Sequence, residues 1–279
     1  GARYAAADEG WLVSLEKVKE QAAKEGKDIL MEFTGSDWCP PCKALHKNVL
    51  TTDVFMTEVP KQYILLKLDN PRDKSMQSEE EQAQYRELSA KMGISGVPTV
   101  MSADATGRPY AKKSGYGGTP AEDYVKQLGG FAEKRKERDA LMAKAEAASG
   151  LEKAKLLDKA LDTVGELALV AYTDVADQIV QLDSEDKAGL KGKYEGLLNQ
   201  KKIEAALADV QRSFQTAGPE ATMQKIDQII SELKPEGEAL QQVLVFKAQM
   251  LFQTDKPKSK ATLEAAQKLA PESRMGKQI

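Results

Sequence analysis

Apolar residues follow two rhythms in the first half of the chain. Leu12, Leu15, Val18 and Ala22 of LVSLEKVKEQAAKE (12–25) recur at helical spacing, and Gly26 supplies a stop. DILMEFTG (28–35) is an apolar run of strand length, and YILLKLDN (63–70) is a second, closed by Asn70-Pro71. Between them Pro40, Pro41 and CKALHKNVL open a helix, whose first turn tolerates proline because those N–H groups lack intrahelical partners. SEEEQAQYRELSAKMG (78–93) puts Tyr85, Leu88 and Met92 on one stripe before Gly93, which predicts another helix. VPTVMSADATGRPYAKKSGY (97–116) reads as two strands around an Ala105-Thr106-Gly107 turn. TPAEDYVKQL then starts a helix with Thr119 at the N-cap, Pro120 at the first position and Glu122 completing a capping box. The order α-β-α-β-α-β-β-α, ending near Gly129-Gly130, predicts an α/β domain over residues 1–130, with parallel crossovers finished by an antiparallel hairpin.

From Phe131 the strand rhythm stops, and Ala, Leu, Lys, Glu and Gln dominate. Helices are expected over 131–148, 151–170, 172–182, 186–214, 219–233, 237–253 and 258–270, giving an all-α domain over 131–279. QIVQLDSED, QIISELKPEG and AAQKLAPES close three amphipathic stretches alike, with Leu182, Leu233 or Leu269 before a polar turn. Recurring ends of this kind point to helical hairpins, because one hairpin cannot bury its own apolar face. The spacings of 51 and 36 residues are unequal, so both tetratricopeptide-like hairpins and an irregular bundle fit.

Composition narrows the function. A net charge of -3 with 30% charged residues offers no long-range attraction for phosphate backbones or anionic lipid, which argues against nucleic acid and membrane-surface partners. No run of 18 apolar residues occurs, as a membrane-spanning helix would need. The chain opens GARYAAADEGW without a start methionine, as a trimmed product would, so a removed signal peptide is compatible with it.

Both cysteines sit in FTGSDWCPPCKALHKNVL (33–50). Two cysteines cannot frame a disulfide-dense fold, and so short a loop gains little from a cross-link. A structural zinc needs four ligands, and Cys39, Cys42 and the lone His46 supply at most three, so no metal is expected. Haem attachment would need histidine directly after Cys42, where Lys43 stands. Helix entry instead places Cys39 where unpaired N–H groups and the dipole stabilise an anion, and the thiolate is the species that attacks a disulfide. Cys39 is thus the expected nucleophile, and Cys42, three residues on, can resolve a mixed disulfide. His46 lies roughly 10 Å along the helix axis from Cys39, beyond hydrogen-bond reach.

These residues resemble the thioredoxin superfamily over about residues 11–130: the ILMEF strand, the Trp38-Cys39-Pro40-Pro41-Cys42-Lys43 turn opening a helix, the LKLDN strand, and GISGVPTV at 93–100. The chain between Cys42 and Pro98 is longer than in the smallest thioredoxins, through added residues around 51–60 and 71–80. The resemblance implies a thioredoxin-like fold and a thiol:disulfide oxidoreductase acting on protein disulfides, with no cofactor and with a redox partner that restores the dithiol. It makes Pro98 the cis-proline opposite the dithiol, Val97 the main-chain partner of an extended substrate, and Trp38 an apolar lip beside Cys39. Glu32 takes the place of a buried carboxylate that helps deprotonate the second cysteine.

Pro40-Pro41 removes two backbone donors from the turn and brings no histidine. This favours a reductase or isomerase, with a potential nearer about -270 mV than about -120 mV. A longer core with an added helical half points to an exported protein of the bacterial periplasm or envelope, with the cytoplasm as the alternative. The helical domain would position client proteins or mediate self-association. The competing reading is a client-binding adaptor or chaperone with the thioredoxin fold as scaffold.

Overall fold

The computed structural model describes residues 10–279; residues 1–9, with which the expected first domain begins, lie outside the described residues. Strands β1 (Trp11–Leu12), β2 (Asp28–Thr34), β3 (Tyr63–Asp69), β4 (Thr99–Ala103) and β5 (Pro109–Ser114) form one sheet in the order β1-β3-β2-β4-β5. β2 runs parallel to β3, from Asp28 beside Tyr63 to Thr34 beside Asp69, and antiparallel to β4 on its other side. Every residue of β2 is buried, Asp28, Glu32 and Thr34 included, as befits a central strand covered on both faces. β1 is too short to show a period and was not among the expected elements. It exists because Trp11 and Leu12 pair with Leu65 and Leu66, while the Trp11 ring stacks on Phe55 at 6.2 Å.

Helix α1 (Leu15–Glu25) starts where the Ser14 hydroxyl accepts the Lys17 N–H, three residues later than expected because Leu12 belongs to β1, and stops at Gly26 as expected, with a left-handed φ of 65°. α2 (Pro40–Leu45) runs into a π-helical turn, His46–Leu50. The added residues that follow contain α3 (Asp53–Glu58), capped by Thr52 and holding Phe55 in the core. α4 (Glu79–Lys91) begins with a complete Ser78/Glu81 capping box.

Helix α5 (Ala121–Glu146) corrects the expectation twice. The box at Thr119 does not form: Pro120 itself takes the cap position with extended backbone, no side chain caps the helix, and the Thr119 carbonyl accepts the Tyr116 hydroxyl. Nor does the helix stop at Gly129-Gly130. Glycine ends a helix by adopting positive φ, and neither residue does so here. Tyr124 and Leu128 are buried before the pair, and Arg135 and Arg138 are tied down after it, which offsets about 1 kcal/mol of helix penalty per glycine. The change in composition at Phe131 therefore falls inside one helix.

By compactness the chain divides after Ser184. α6 (Gly150–Val164), α7 (Ala168–Ala171) and α8 (Thr173–Leu182) complete the first unit. They are pinned to the sheet through Arg138, which donates to the Tyr172 hydroxyl at 2.6 Å and pairs with Asp104 at 3.2 Å, while Tyr172 donates to the Pro109 carbonyl at 2.9 Å. The Arg108 guanidinium lies over the Tyr172 ring and donates to the Ala171 carbonyl and to Asp174.

The second unit holds α9 (Leu190–Leu233), α10 (Gly237–Leu251) and α11 (Lys256–Leu269). α9 is two helices in one line of sequence, broken at Gly218 (φ 77°, ψ 168°) just before Pro219. Ile203, Leu207, Val210, Ile226, Ile229 and Val243 form its core. Gln241 is buried there and satisfied by the carbonyls of Ala266 and Ala270, both at 3.0 Å. No described helix is long and apolar enough to cross a membrane.

Candidate active site

Strand β2 delivers the chain to a tight loop, Gly35 to Trp38, and then to the cysteines. Cys39 is the N-cap of α2, with extended backbone (φ -93°, ψ 106°), and Pro40 and Pro41 occupy the first two helical positions. The Cys42 N–H therefore points at the Cys39 sulfur, 3.3 Å away. That donor is the one a cap oxygen normally satisfies, and it would stabilise a thiolate at Cys39 in the same way. The two cysteines are joined as a disulfide. Their burial, 2% and 1% exposed, leaves little open approach to the Cys39 sulfur in this oxidised form.

The Val97-Pro98 peptide is cis, and the Val97 carbonyl oxygen lies 3.6 Å from Cys39 Sγ. Sequence positions 58 apart thus meet at the sulfur. The loop is held by the Thr99 hydroxyl, which donates to the Gly96 carbonyl at 2.8 Å, and by the Gly115 N–H, which donates to the Pro98 carbonyl at 2.7 Å.

Trp38 is 37% exposed, so it is a surface ring and not a core one. Its indole N–H donates to the Asn70 carbonyl at 2.8 Å, and the ring lies against Gly35, where a Cβ would come within 2.5 Å of it. Glycine is required at 35 for that close approach. The segment after β3 is bound to the same loop: the Arg72 and Asp73 N–H groups donate to the Asp37 carboxylate at 2.9 to 3.0 Å. These bonds hold the exposed Asp37 carboxyl below the usual carboxylate range, the Asp73 N–H contributing most. The Ser36 hydroxyl donates to Asp69 at 2.5 Å. Ser36, Asp37, Asn70 and Arg72 were not among the expected site residues, because their partners lie more than thirty residues away and no local period marks them.

Glu32 lies in β2, side by side with Lys67 of β3 and Val100 of β4. It is 2% exposed. Burial pushes its carboxyl up to about 7; Lys67, His46 and a hydrogen bond with Thr34 pull it down only in part, and Asp69 adds to the rise. His46, half-buried in the π turn four residues past Cys42, thus exerts its charge on Glu32. Among the described residues no three or more His, Cys, Asp or Glu side chains gather where they could hold a metal ion.

A five-stranded mixed sheet with a Cys-x-x-Cys turn capping a helix opposite a cis-proline defines the thioredoxin-like class. The family model of the thioredoxin-like domain matches residues 15–132, and this part of the chain is a thioredoxin-like domain, followed by helices.

Among known proteins, the chain is similar to the disulfide bond reductase DsbH of Chlamydia pneumoniae, with 31% identity over 108 residues. That match covers 39% of this chain and 64% of the relative, just under two thirds of its length. Among solved structures, a DsbH oxidoreductase aligns with a TM-score of 0.42 and 23% identity, over 48% of this chain and 92% of that one. The oxidised C-terminal domain of Neisseria meningitidis DsbD aligns with a TM-score of 0.32 and 18% identity, over 42% and 90% of the two chains.

Proposed function

We propose that the protein is a thiol:disulfide oxidoreductase that donates two electrons from the Cys39-Cys42 dithiol to a protein disulfide. The observation that carries this reading is the Cys39 sulfur itself, which receives the Cys42 N–H at the helix cap and lies against the Val97 carbonyl. The Cys39 thiolate attacks one substrate sulfur, forms a mixed disulfide and expels the other sulfur as a thiolate. The Cys42 thiol, after losing its proton, attacks Cys39 and releases the second substrate thiolate, which leaves the Cys39-Cys42 disulfide. A carboxyl near 7 suits Glu32 to accept that proton near neutrality. Val97 would pair through its main chain with an extended substrate, and Trp38 would form the lip over which the substrate arrives.

Kinship with a disulfide bond reductase and the two prolines of the turn favour the reducing direction. A second redox protein must then return the electrons. The compartment we propose is the bacterial envelope, where disulfides form and persist.

The test is to equilibrate the full chain across glutathione or dithiothreitol ratios and count free thiols by alkylation and mass. The expected outcome is one reversible two-electron transition nearer about -270 mV than about -120 mV. Loss of protein-disulfide reduction in Cys39→Ser, with Cys42→Ser trapping mixed disulfides, completes it. A midpoint above about -170 mV would overturn the reducing assignment. Cysteines locked in one state throughout would overturn the enzyme.

A further inference from the structure

The rim of the dithiol carries a cation that the exchange chemistry itself does not need. The Arg72 guanidinium sits over the Trp38 ring, 5.6 Å from its centroid, and Trp38 is the residue before Cys39. Both partners are held in place. The indole is tethered through Asn70, and the Arg72 backbone is tethered through Asp37. The guanidinium itself takes no side-chain hydrogen bond among the described residues.

The neighbouring acids are engaged elsewhere. Both oxygens of Asp37 accept backbone N–H groups, and Asp73 Oδ1 accepts the N–H and hydroxyl of Ser75. The other cations of the rim are also held: Lys74 donates to Asn70 Oδ1 at 2.6 Å, and Lys43 to the Asp37 carbonyl at 2.7 Å. Lys43, Arg72 and Lys74 stand beside three acids, Asp37, Asp69 and Asp73, and each of these acids accepts hydrogen bonds from backbone N–H or hydroxyl groups, Asp69 from the Ser36 N–H and hydroxyl. A guanidinium held over an indole by cation–π attraction still has N–H donors free to bind, and its planar fork matches a carboxylate.

We infer that Arg72 is a specificity residue, selecting disulfide substrates that carry a carboxylate beside the sulfur Cys39 attacks. This rests on the proposed disulfide exchange and adds to it the charge class of the substrate. The carboxylate would lie along the Trp38 edge while the substrate sulfur reaches Cys39.

The test uses the reduced full chain with three small disulfides: glutathione disulfide (anionic), hydroxyethyl disulfide (neutral) and cystamine (cationic). Second-order rate constants of variants are divided by those of the natural protein, which cancels the intrinsic reactivity of each reagent. Arg72→Gln is expected to lower the glutathione-to-hydroxyethyl ratio about three- to five-fold, the size of one exposed charged pair. Arg72→Glu should tilt the preference toward cystamine, and raising salt from about 0.02 to 0.5 M should shrink the natural protein's ratio. Ratios unchanged within about 1.5-fold, or an equal slowing with all three reagents, as a loosened Trp38 would give, would overturn the inference. If the natural protein reduces none of the three, this inference falls, while the exchange reading stands or falls on the dithiol titration and on protein-disulfide reduction.

Discussion

Asp28 and Glu32 lie four residues apart on one face of the same buried strand, and the protein treats them in opposite ways. Asp28 is enclosed by partners: the Arg135 guanidinium and the Tyr110 hydroxyl at 2.7 Å both donate to it, and the Tyr63 hydroxyl stands 3.2 Å behind Tyr110. Glu32 is equally buried, but its nearest cations only partly offset the loss of water, and its proton is retained to about 7. A tyrosine of α5 repeats the contrast. The Tyr110 hydroxyl has two partners, whereas the Tyr124 hydroxyl, which feels Glu32, is buried without one among the described residues. One end of β2 is a satisfied ion pair that fastens helix to sheet. The other is a carboxyl left under-neutralised on the strand that leads to the cysteines. Burial alone does not decide what a carboxylate does; the donors supplied to it do.

The largest break in this comparison comes at the satisfied end. Arg135→Ala leaves the Asp28 carboxylate with Tyr110 alone. The loss should be about 2–3 kcal/mol, the lower part of the range for breaking a buried pair, because the Arg135 side chain is 34% exposed. Denaturant unfolding measures it, and the dithiol midpoint should stay where it is. A shifted midpoint with unchanged stability would mean that the two ends do not differ as described.

Glu32→Gln should act with the opposite sign. The folded-state value near 7 lies above the ordinary value of 4.5, so the folded protein holds a proton that the unfolded chain has released between those limits. Stability from this group is therefore greatest below pH 4.5, falls as pH rises toward 7, and levels off above it. Removing the charge should flatten that slope, with little effect at pH 4 and a gain on the order of 2–3 kcal/mol at pH 8. The same variant should slow release of mixed disulfides, by about ten- to a hundred-fold if Glu32 takes the Cys42 proton. Stability curves at several pH values, with single-turnover release kinetics, check both halves.

Much of the fold was legible because its signals are local. The apolar runs at 28–35 and 63–70 and the stop at Gly26 act within a few residues, and β2, β3 and the end of α1 stand where that rhythm put them. Leu182, Leu233 and Leu269 each end a helix as their shared pattern implied. What failed depends on distant partners. β1 exists through Leu65 and Leu66, and α5 passes through Gly129-Gly130 because Arg135 and Arg138 are anchored to the sheet beyond. The site divides in the same way. Cys39 and Cys42 can be read from spacing, and the importance of Pro98 from resemblance. The clasp of Asp37, Asn70 and Arg72 on the Trp38 loop, and the contrast between Tyr110 and Tyr124, appear only when strand order brings them together.

The smallest expected effect is the sharpest probe of the comparison. Tyr110→Phe removes a hydroxyl bonded to a charged group and should cost about 1.5–3 kcal/mol, because the Asp28 carboxylate loses a donor it cannot replace with water. Tyr124→Phe removes a hydroxyl of equal burial that has no partner among the described residues, so the phenol already bears its desolvation cost in the folded protein. That change should leave stability within about 0.5 kcal/mol, or raise it slightly. Paired unfolding curves on the two variants make the measurement, since the same atom is deleted from the same residue type on the same face of the sheet. A loss above about 1 kcal/mol for Tyr124→Phe would mean that an ordered water joins this hydroxyl to Glu32. The two ends of β2 would then differ in the kind of partner they have, and no longer in whether they have one.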